Sequence, residues 1–291
     1  MSAVTRTGPA SSPVVPTPVP APVPAPVPAP ATLAGSVTQA RVVRAEWTKL
    51  WALRSTRWCT LVAAVLIIGV GAAVAGSGTA YHVSAADPAA EGISAALLGA
   101  LIAQLVLGVV GVLSFSGEYG TGMIRATLAV VPSRLPVLWA KLIVLTGLVL
   151  PVTLLCAVID FFTATAIEFS RGGSAISLTD PGVLRTVVGS SLYLTVVAII
   201  GLALGALLRK TAAGLSVFAA VFFVIPVIVG ALPRTITGFA PYLPSNAGAS
   251  VWGQSASSAD ALSPWAGFAC LCGYAVVLTA LAAWRLRRRD V

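Results

Sequence analysis

Few side chains in this 291-residue sequence belong to the kinds that make or break bonds. There is one histidine, His82, and there are four cysteines, Cys59, Cys156, Cys270 and Cys272. The cysteines lie in or beside apolar runs. Cys270 and Cys272 would point to nearly opposite sides of a helix, which argues against a shared metal or a disulfide framework and for small packing residues. His82 falls in a gap between apolar runs and reads as solvated. The sequence has no G-x-x-x-x-G-K-[ST] phosphate loop, no G-x-S-x-G elbow and no His/Cys cluster at metal spacing. The chain is therefore read as not an enzyme, with no cofactor and no nucleotide of its own.

The residues that remain are polar or structure-breaking groups inside apolar runs, where they are costly and often functional. Asp160 lies 19 residues after Lys141. At 1.5 Å per helical residue that is about 29 Å, so the two should sit near opposite membrane surfaces. The cost of Asp160 should then be modest, and a proton relay is not expected. Gln104, near the middle of an apolar run, suits either a hydrogen bond between helices or a transport path. Pro151 and Pro226 would kink their runs. Gly201 and Gly205 form one GxxxG pair, which permits close helix contact. A chain without successive buried ionisable groups must draw the energy for any transport from elsewhere.

The elements that position these residues are membrane spans. Hydrophobic residues make up 57% of the chain, charged residues only 9%, and the mean hydropathy is +0.95. Soluble domains carry about 25% charged residues, so lipid must be the solvent for most of this chain. Six apolar stretches have the length that a hydrocarbon core of about 30 Å requires: residues 58–76, 93–115, 138–162, 186–208, 212–232 and 265–284. A count of five, with one stretch re-entrant, is the alternative. Fifteen of the 18 Lys and Arg residues fall on one side of this arrangement, and only Arg171, Arg185 and Arg234 on the other. The inside-positive bias places both termini in the cytoplasm. The net charge of +9 is accounted for by topology and implies no nucleic acid.

Several connecting segments stand out. Residues 1–38 hold PVVPTPVPAPVPAPVPAP, which forbids a helix and favours an extended, semi-rigid polyproline arm, disordered and cytoplasmic. No signal peptide is expected there. Docking of a proline-reading partner is the alternative role. Residues 41–57 read as an amphipathic helix lying in the lipid headgroup layer, with Val43, Trp47, Leu50 and Trp51 on one stripe and Arg41, Arg44 and Thr48 on another. The loop 233–264 mixes Pro and Gly with aromatics, and short helices at the outer membrane face are expected. The segment 116–142, SGEYGTGMIRATLAVVPSRLPVLWAKL, joins the second and third spans. It combines Glu118 and Tyr119, a sharp turn at Gly120 and Gly122, a short helix over 123–130 and two breaking prolines. That composition exceeds what a linker needs and looks like a surface offered to a partner.

With these segments in order, the chain resembles the permease subunits of type-2 ATP-binding-cassette (ABC) transporters of the actinobacterial kind. The resemblance runs from about Arg41 to the end. It is carried by RAEWTKLWALRSTRW (44–58), FSGEYGTGMIRATL (115–128), PSR (132–134), Ala140 with Lys141, and YLPSNAG (242–248). The chain departs from the family at Gly120, where a basic residue is frequent, and its proline arm is outside the pattern. The resemblance implies an interfacial connecting helix carrying Arg44, Glu46, Trp47, Lys49 and Arg54. It also implies a coupling helix with Glu118, Tyr119, Gly122, Ile124 and Arg125, docked on an ABC ATP-binding subunit. ATP would be bound by that partner, and a second permease copy or paralogue would complete the unit.

The expectation is thus an all-α integral membrane protein. The disordered arm, 1–38, is followed by a six-helix permease domain, 39–291, in the cell membrane. Its expected work is ATP-driven export of a hydrophobic or amphipathic substrate. A membrane anchor or a regulatory or sensor component is the alternative. A lipid-acting membrane enzyme would need clustered polar groups at one membrane face, and only scattered ones are present.

Overall fold

The computed structural model describes residues 38–77, 93, 96–120, 122–123, 134–172, 176–233, 237–253 and 262–288. The proline-rich arm, His82, Asp87, Glu91, Ile124 and Arg125 lie outside the described residues. The short helix expected over 123–130 falls almost wholly outside them as well.

Helix α1 spans Gln39–Ala52. Leu53 then turns extended, and α2 begins at once as Arg54–Ser77. The chain continues with α3, Gly99–Gly120, α4, Arg134–Ser170, and α5, Val183–Leu208. Helix α6, Thr211–Ala219, runs through one π turn, Ala220–Val224, into α7, Ile225–Gly230. After a 3₁₀ turn at Ala240–Tyr242 come α8, Pro244–Ala249, a second 3₁₀ turn at Ser250–Trp252, and α9, Pro264–Arg288. Six of these segments are long and apolar enough to cross a membrane: α2, α3, α4, α5, the continuous run Thr211–Gly230, and α9. Among the described residues there is no strand, and the fold is that of an all-α multi-pass membrane protein.

Several boundaries differ from the sequence reading. The interfacial helix, expected over 41–57, ends at Ala52, because α1 packs along α4 and a corner at Leu53 is needed before α2 can leave that surface. The second span, expected to end at 115, stays helical to Gly120. Its last turn carries Glu118, whose charge is matched by lysines from other helices. Helix α4 has 37 residues, about 55 Å at 1.5 Å per residue, and so exceeds the hydrocarbon core. Pro151 lies within it without ending it. Pro226 sits at the start of α7, directly after the π turn, the kind of local adjustment that re-pairs backbone groups near a proline.

Helix α5 is the most enclosed span and packs against α3, α4 and α9. The α3–α5 seam is made by small residues. A Cβ placed on Gly205 would come within 2.5 Å of the Val112 carbonyl oxygen, and Gly201 abuts Gly108 in the same way. The GxxxG pair therefore lets two backbones approach at van der Waals distance. The α5–α6 connection consists of Arg209 and Lys210 alone, with Arg209 in the left-handed region at φ 57° and its N–H bonded to the Gly205 carbonyl. That cap position usually belongs to glycine.

The long loop holds short helices as expected; the turn Ala240–Tyr242 has no buried residue, whereas the chain after it sinks into the fold. Residues 247–252 are buried between α5 and α9. Trp252 is fully enclosed, with its ring 6.1 Å from that of Tyr193. Tyr193 is ten residues into α5, about 15 Å along it. Irregular backbone at such depth is tolerated when protein surrounds it. Gly248 and Gly267 supply the closeness, since a Cβ on either would collide with α5 or with α8 and the turn after it.

A buried charge knot as candidate functional site

Helix α1 presents its Val42, Glu46 and Leu50 stripe to α4. Of the stripe read from sequence, Leu50 is buried and Val43 partly so, while Trp47 and Trp51 at its edge stay about half exposed, and a glutamate lies in the buried row. The exposed tryptophans still suit a headgroup layer, while the buried row faces protein. Glu46 is only 3% exposed and Lys141, on α4, only 5%. Lone buried charges of this kind would cost several kcal/mol each, so the question is what pairs them.

Four charges from three helices pair one another. Lys141 Nζ donates to Glu46 Oε2 at 2.8 Å, to Glu118 Oε1 at 2.8 Å and to the Ser114 carbonyl at 3.0 Å. An ammonium has three protons to give, and these three acceptors use them. The Phe115 ring lies 5.9 Å from the same nitrogen. Lys49 Nζ donates to Glu46 Oε1 at 2.7 Å and reaches Glu118 Oε1 at 3.3 Å. Two carboxylates and two ammoniums leave the knot formally neutral. Glu118 stands in the last turn of α3, where the helix dipole disfavours an anion, and the two lysines offset that penalty.

The electrostatics of α1 follow. Burial alone would raise the Glu46 carboxyl, but the charge of Lys141 and then that of Lys49 outweigh it and hold it below its ordinary 4.5. Burial pulls the Lys49 ammonium down, but Glu46 and Glu118 outweigh that and keep it above its ordinary 10.5. Both groups stay ionised across the physiological range.

The same end of the molecule gathers further contacts. Gln39 Nε2 donates to the Pro136 carbonyl at 3.1 Å, tying the start of α1 to the start of α4. Thr211 Oγ1 donates to Ser116 Oγ at 3.2 Å. The Arg209 guanidinium sits 5.5 Å from the Tyr119 ring centre, and Tyr119 stacks on Phe115 at 6.0 Å. The ends of α3 and α4 that flank residues 121–133 are thus locked to α1 and to the α5–α6 turn. Beside the knot lies a cavity of about 340 Å³ walled chiefly by Leu50, Leu53, Cys59, Val110 and Leu113.

The residues singled out from sequence fall into three groups. Glu46, Lys49 and Glu118 join the knot, and Tyr119 adjoins it. Glu118 is buried and ion-paired, and so is an internal tie. Gly122 takes φ +71°, a conformation that favours glycine, in a turn closed by its N–H to the Tyr119 carbonyl. Arg44, Trp47 and Arg54 are exposed; Arg54 opens α2 and does not belong to α1. The third group lies away from the knot. Gln104 accepts a hydrogen bond from the Tyr193 hydroxyl and bridges α3 to α5 as a helix contact. Asp160 is 1% exposed, packed against Gly71 of α2, and among the described residues neither of its carboxylate oxygens has a hydrogen-bond partner. The modest cost expected for it does not hold, because helices and not solvent surround it. Pro151 is exposed on α4.

Sequence reasoning misses the roles of Lys141 and Ser114 in the knot, and of Tyr193 opposite Gln104. Lys141 serves there only to mark one membrane surface and as part of a run that carries the resemblance. Its 95-residue separation from Glu46 carries no local signal, though a charge beside an apolar span needs a partner.

Among the described residues no group of His, Cys, Asp and Glu is arranged to hold a metal ion. Compared with models of protein families and with curated proteins, the chain matches none. The fold and the knot define a six-span helical membrane protein whose amino-proximal helix is clamped by ion pairs to its second and third spans.

Proposed function

We propose that the chain is the membrane-spanning permease subunit of an ATP-driven ABC transporter. In this reading it lies in the cell membrane with both termini in the cytoplasm. It exports a hydrophobic or amphipathic substrate, and a separate ATP-binding subunit supplies the energy. A second permease copy or a paralogue completes the assembly.

The observation that carries the reading is the charge knot. Residues 115–128 hold the run that resembles a coupling helix; Glu118 within it, in the last turn of α3, and Lys141 on α4 are both paired to α1. A force applied to that segment by a partner would reach α1, α3 and α4 together instead of being lost in loose loops. A carboxylate–ammonium tie is suited to this task because its geometry is fixed by three acceptors around one nitrogen. The absence of a phosphate-binding loop in the sequence also favours an external ATPase.

The test is purification of the full chain from its native membrane by a carboxyl-terminal tag, followed by an ATP hydrolysis assay. Recovery of a nucleotide-binding subunit in equal amount supports the reading. Recovery of the chain alone from several mild detergents favours a membrane anchor or sensor component instead.

A further inference from the structure

A second cavity, of about 360 Å³, lies on the other side of Leu50 from the first, between α1, α2 and α4. Its walls include Leu61, Ala64, Leu148 and Val152, and Trp51 and Arg57 also line it. Arg57 is exposed, and so is Arg54, one turn before it; among the described residues neither has an ion-pair partner. Two cations therefore sit where α2 begins its apolar run. Ala64 lies seven residues deeper along α2, roughly 10 Å. Leu148 and Val152 lie seven and eleven residues beyond Lys141 on α4, roughly 10 and 16 Å. The slot thus runs from headgroup level into the hydrocarbon layer, with cations and the amphipathic Trp51 ring at one end and aliphatic walls at the other.

We propose that this slot binds one acyl chain of an anionic phospholipid, whose phosphate is met by Arg57 with Arg54 beside it. The charge pattern selects this occupant. A zwitterionic lipid fills the walls equally well, but its own cation cancels the attraction to the two arginines. A free phosphate gains nothing from the apolar walls. An anionic lipid uses both ends, and each basic residue near a membrane surface adds to its retention. The site stands on these residues alone and is independent of the transport reading.

The experiment is native mass spectrometry of the full chain released from dodecyl maltoside micelles, with dioleoyl phosphatidylglycerol or dioleoyl phosphatidylcholine added in equal amounts. One phosphatidylglycerol is expected to stay bound at concentrations where phosphatidylcholine does not. Arg57→Gln should weaken its retention roughly fivefold, and Ala64→Phe, which fills the slot, should abolish it. Equal retention of the two lipids by the unaltered chain overturns the proposal, as does undiminished retention by either variant. Displacement of the lipid by inorganic phosphate at millimolar concentration also overturns it, because the site would then read a free anion. Arg57→Gln alters only an exposed side chain, so its result remains decisive if Ala64→Phe fails to fold.

Discussion

Lys141 Nζ and Glu46 Oε2 lie 2.8 Å apart although 95 residues separate them in the chain. Each is nearly devoid of solvent contact, and the pair fixes an amino-proximal helix to the third span. Buried ion pairs add little net stability over apolar packing, but removing one member leaves the other uncompensated. Lys141→Met leaves two buried carboxylates to share the one ammonium of Lys49 and should destabilise the protein by about 3–5 kcal/mol. Unfolding in mixed micelles with increasing dodecyl sulfate measures this. Glu46→Gln combined with Lys141→Met should cost clearly less than the sum of the single changes.

The pH dependence of stability follows from α1. The Glu46 carboxyl is held below 4.5 in the folded state, so its contribution is full above about pH 4.5 and is lost as pH falls through the lower, folded value. The Lys49 ammonium is held above 10.5, so its contribution is full below about pH 10.5 and is lost as pH rises through the folded value. Thermal unfolding in detergent should show a plateau between these limits. Glu46→Gln should flatten the acid limb, and an unchanged acid limb in that variant would remove Glu46 from the account.

The α3–α5 seam should tolerate no added side chain. Gly205→Leu drives atoms into the Val112 carbonyl oxygen, which stands only 2.5 Å from where the first side-chain carbon would be. It should cost at least the 1–3 kcal/mol or so typical of overpacking. Gly69 is the control, since a Cβ there would meet nothing within 4 Å. Gly69→Ala should be neutral or slightly stabilising in the same unfolding assay.

Tyr193→Phe removes the donor to Gln104 and leaves the amide oxygen unpaired between α3 and α5. Membrane hydrogen bonds of this kind average about 0.6 kcal/mol, with a maximum near 1.7. The loss should fall in that range, and Gln104→Leu added to Tyr193→Phe should recover part of it. If the transporter proposal holds, turnover unaffected by Tyr193→Phe marks a structural bridge, whereas loss of turnover at unchanged stability places Gln104 on a transport path.

How much of this is legible in the sequence depends on the range of the interaction. The six spans are legible because each is a contiguous apolar run, and the GxxxG pair because its spacing is local. The knot is not. Glu46 and Lys49, three apart, look like an ordinary surface pair on an amphipathic helix, and Glu118 and Lys141 look like span-end charges. Only packing brings the four together. The same holds for the loop 233–264: Pro and Gly foreshadow its short helices, but the burial of Trp252 against Tyr193 depends on α5 and α9 closing over it. Asp160 is misread for the opposite reason, since distance along one helix says nothing about what surrounds it.

In the proposed transporter, the run that resembles a coupling helix and the charge knot would do different work. Arg125 and Glu118 both belong to the run that resembles the coupling helix, and Glu118 is also paired with Lys141 in the knot. The most direct measurement purifies the tagged chain from native membranes in unaltered, Arg125→Glu and Lys141→Met forms, and compares recovery of a nucleotide-binding subunit with ATP turnover. The account predicts equal recovery with the unaltered chain and loss of the subunit with Arg125→Glu. With Lys141→Met it predicts a retained subunit whose turnover no longer responds to the permease. Absence of any nucleotide-binding subunit from the unaltered preparation in several mild detergents would contradict it.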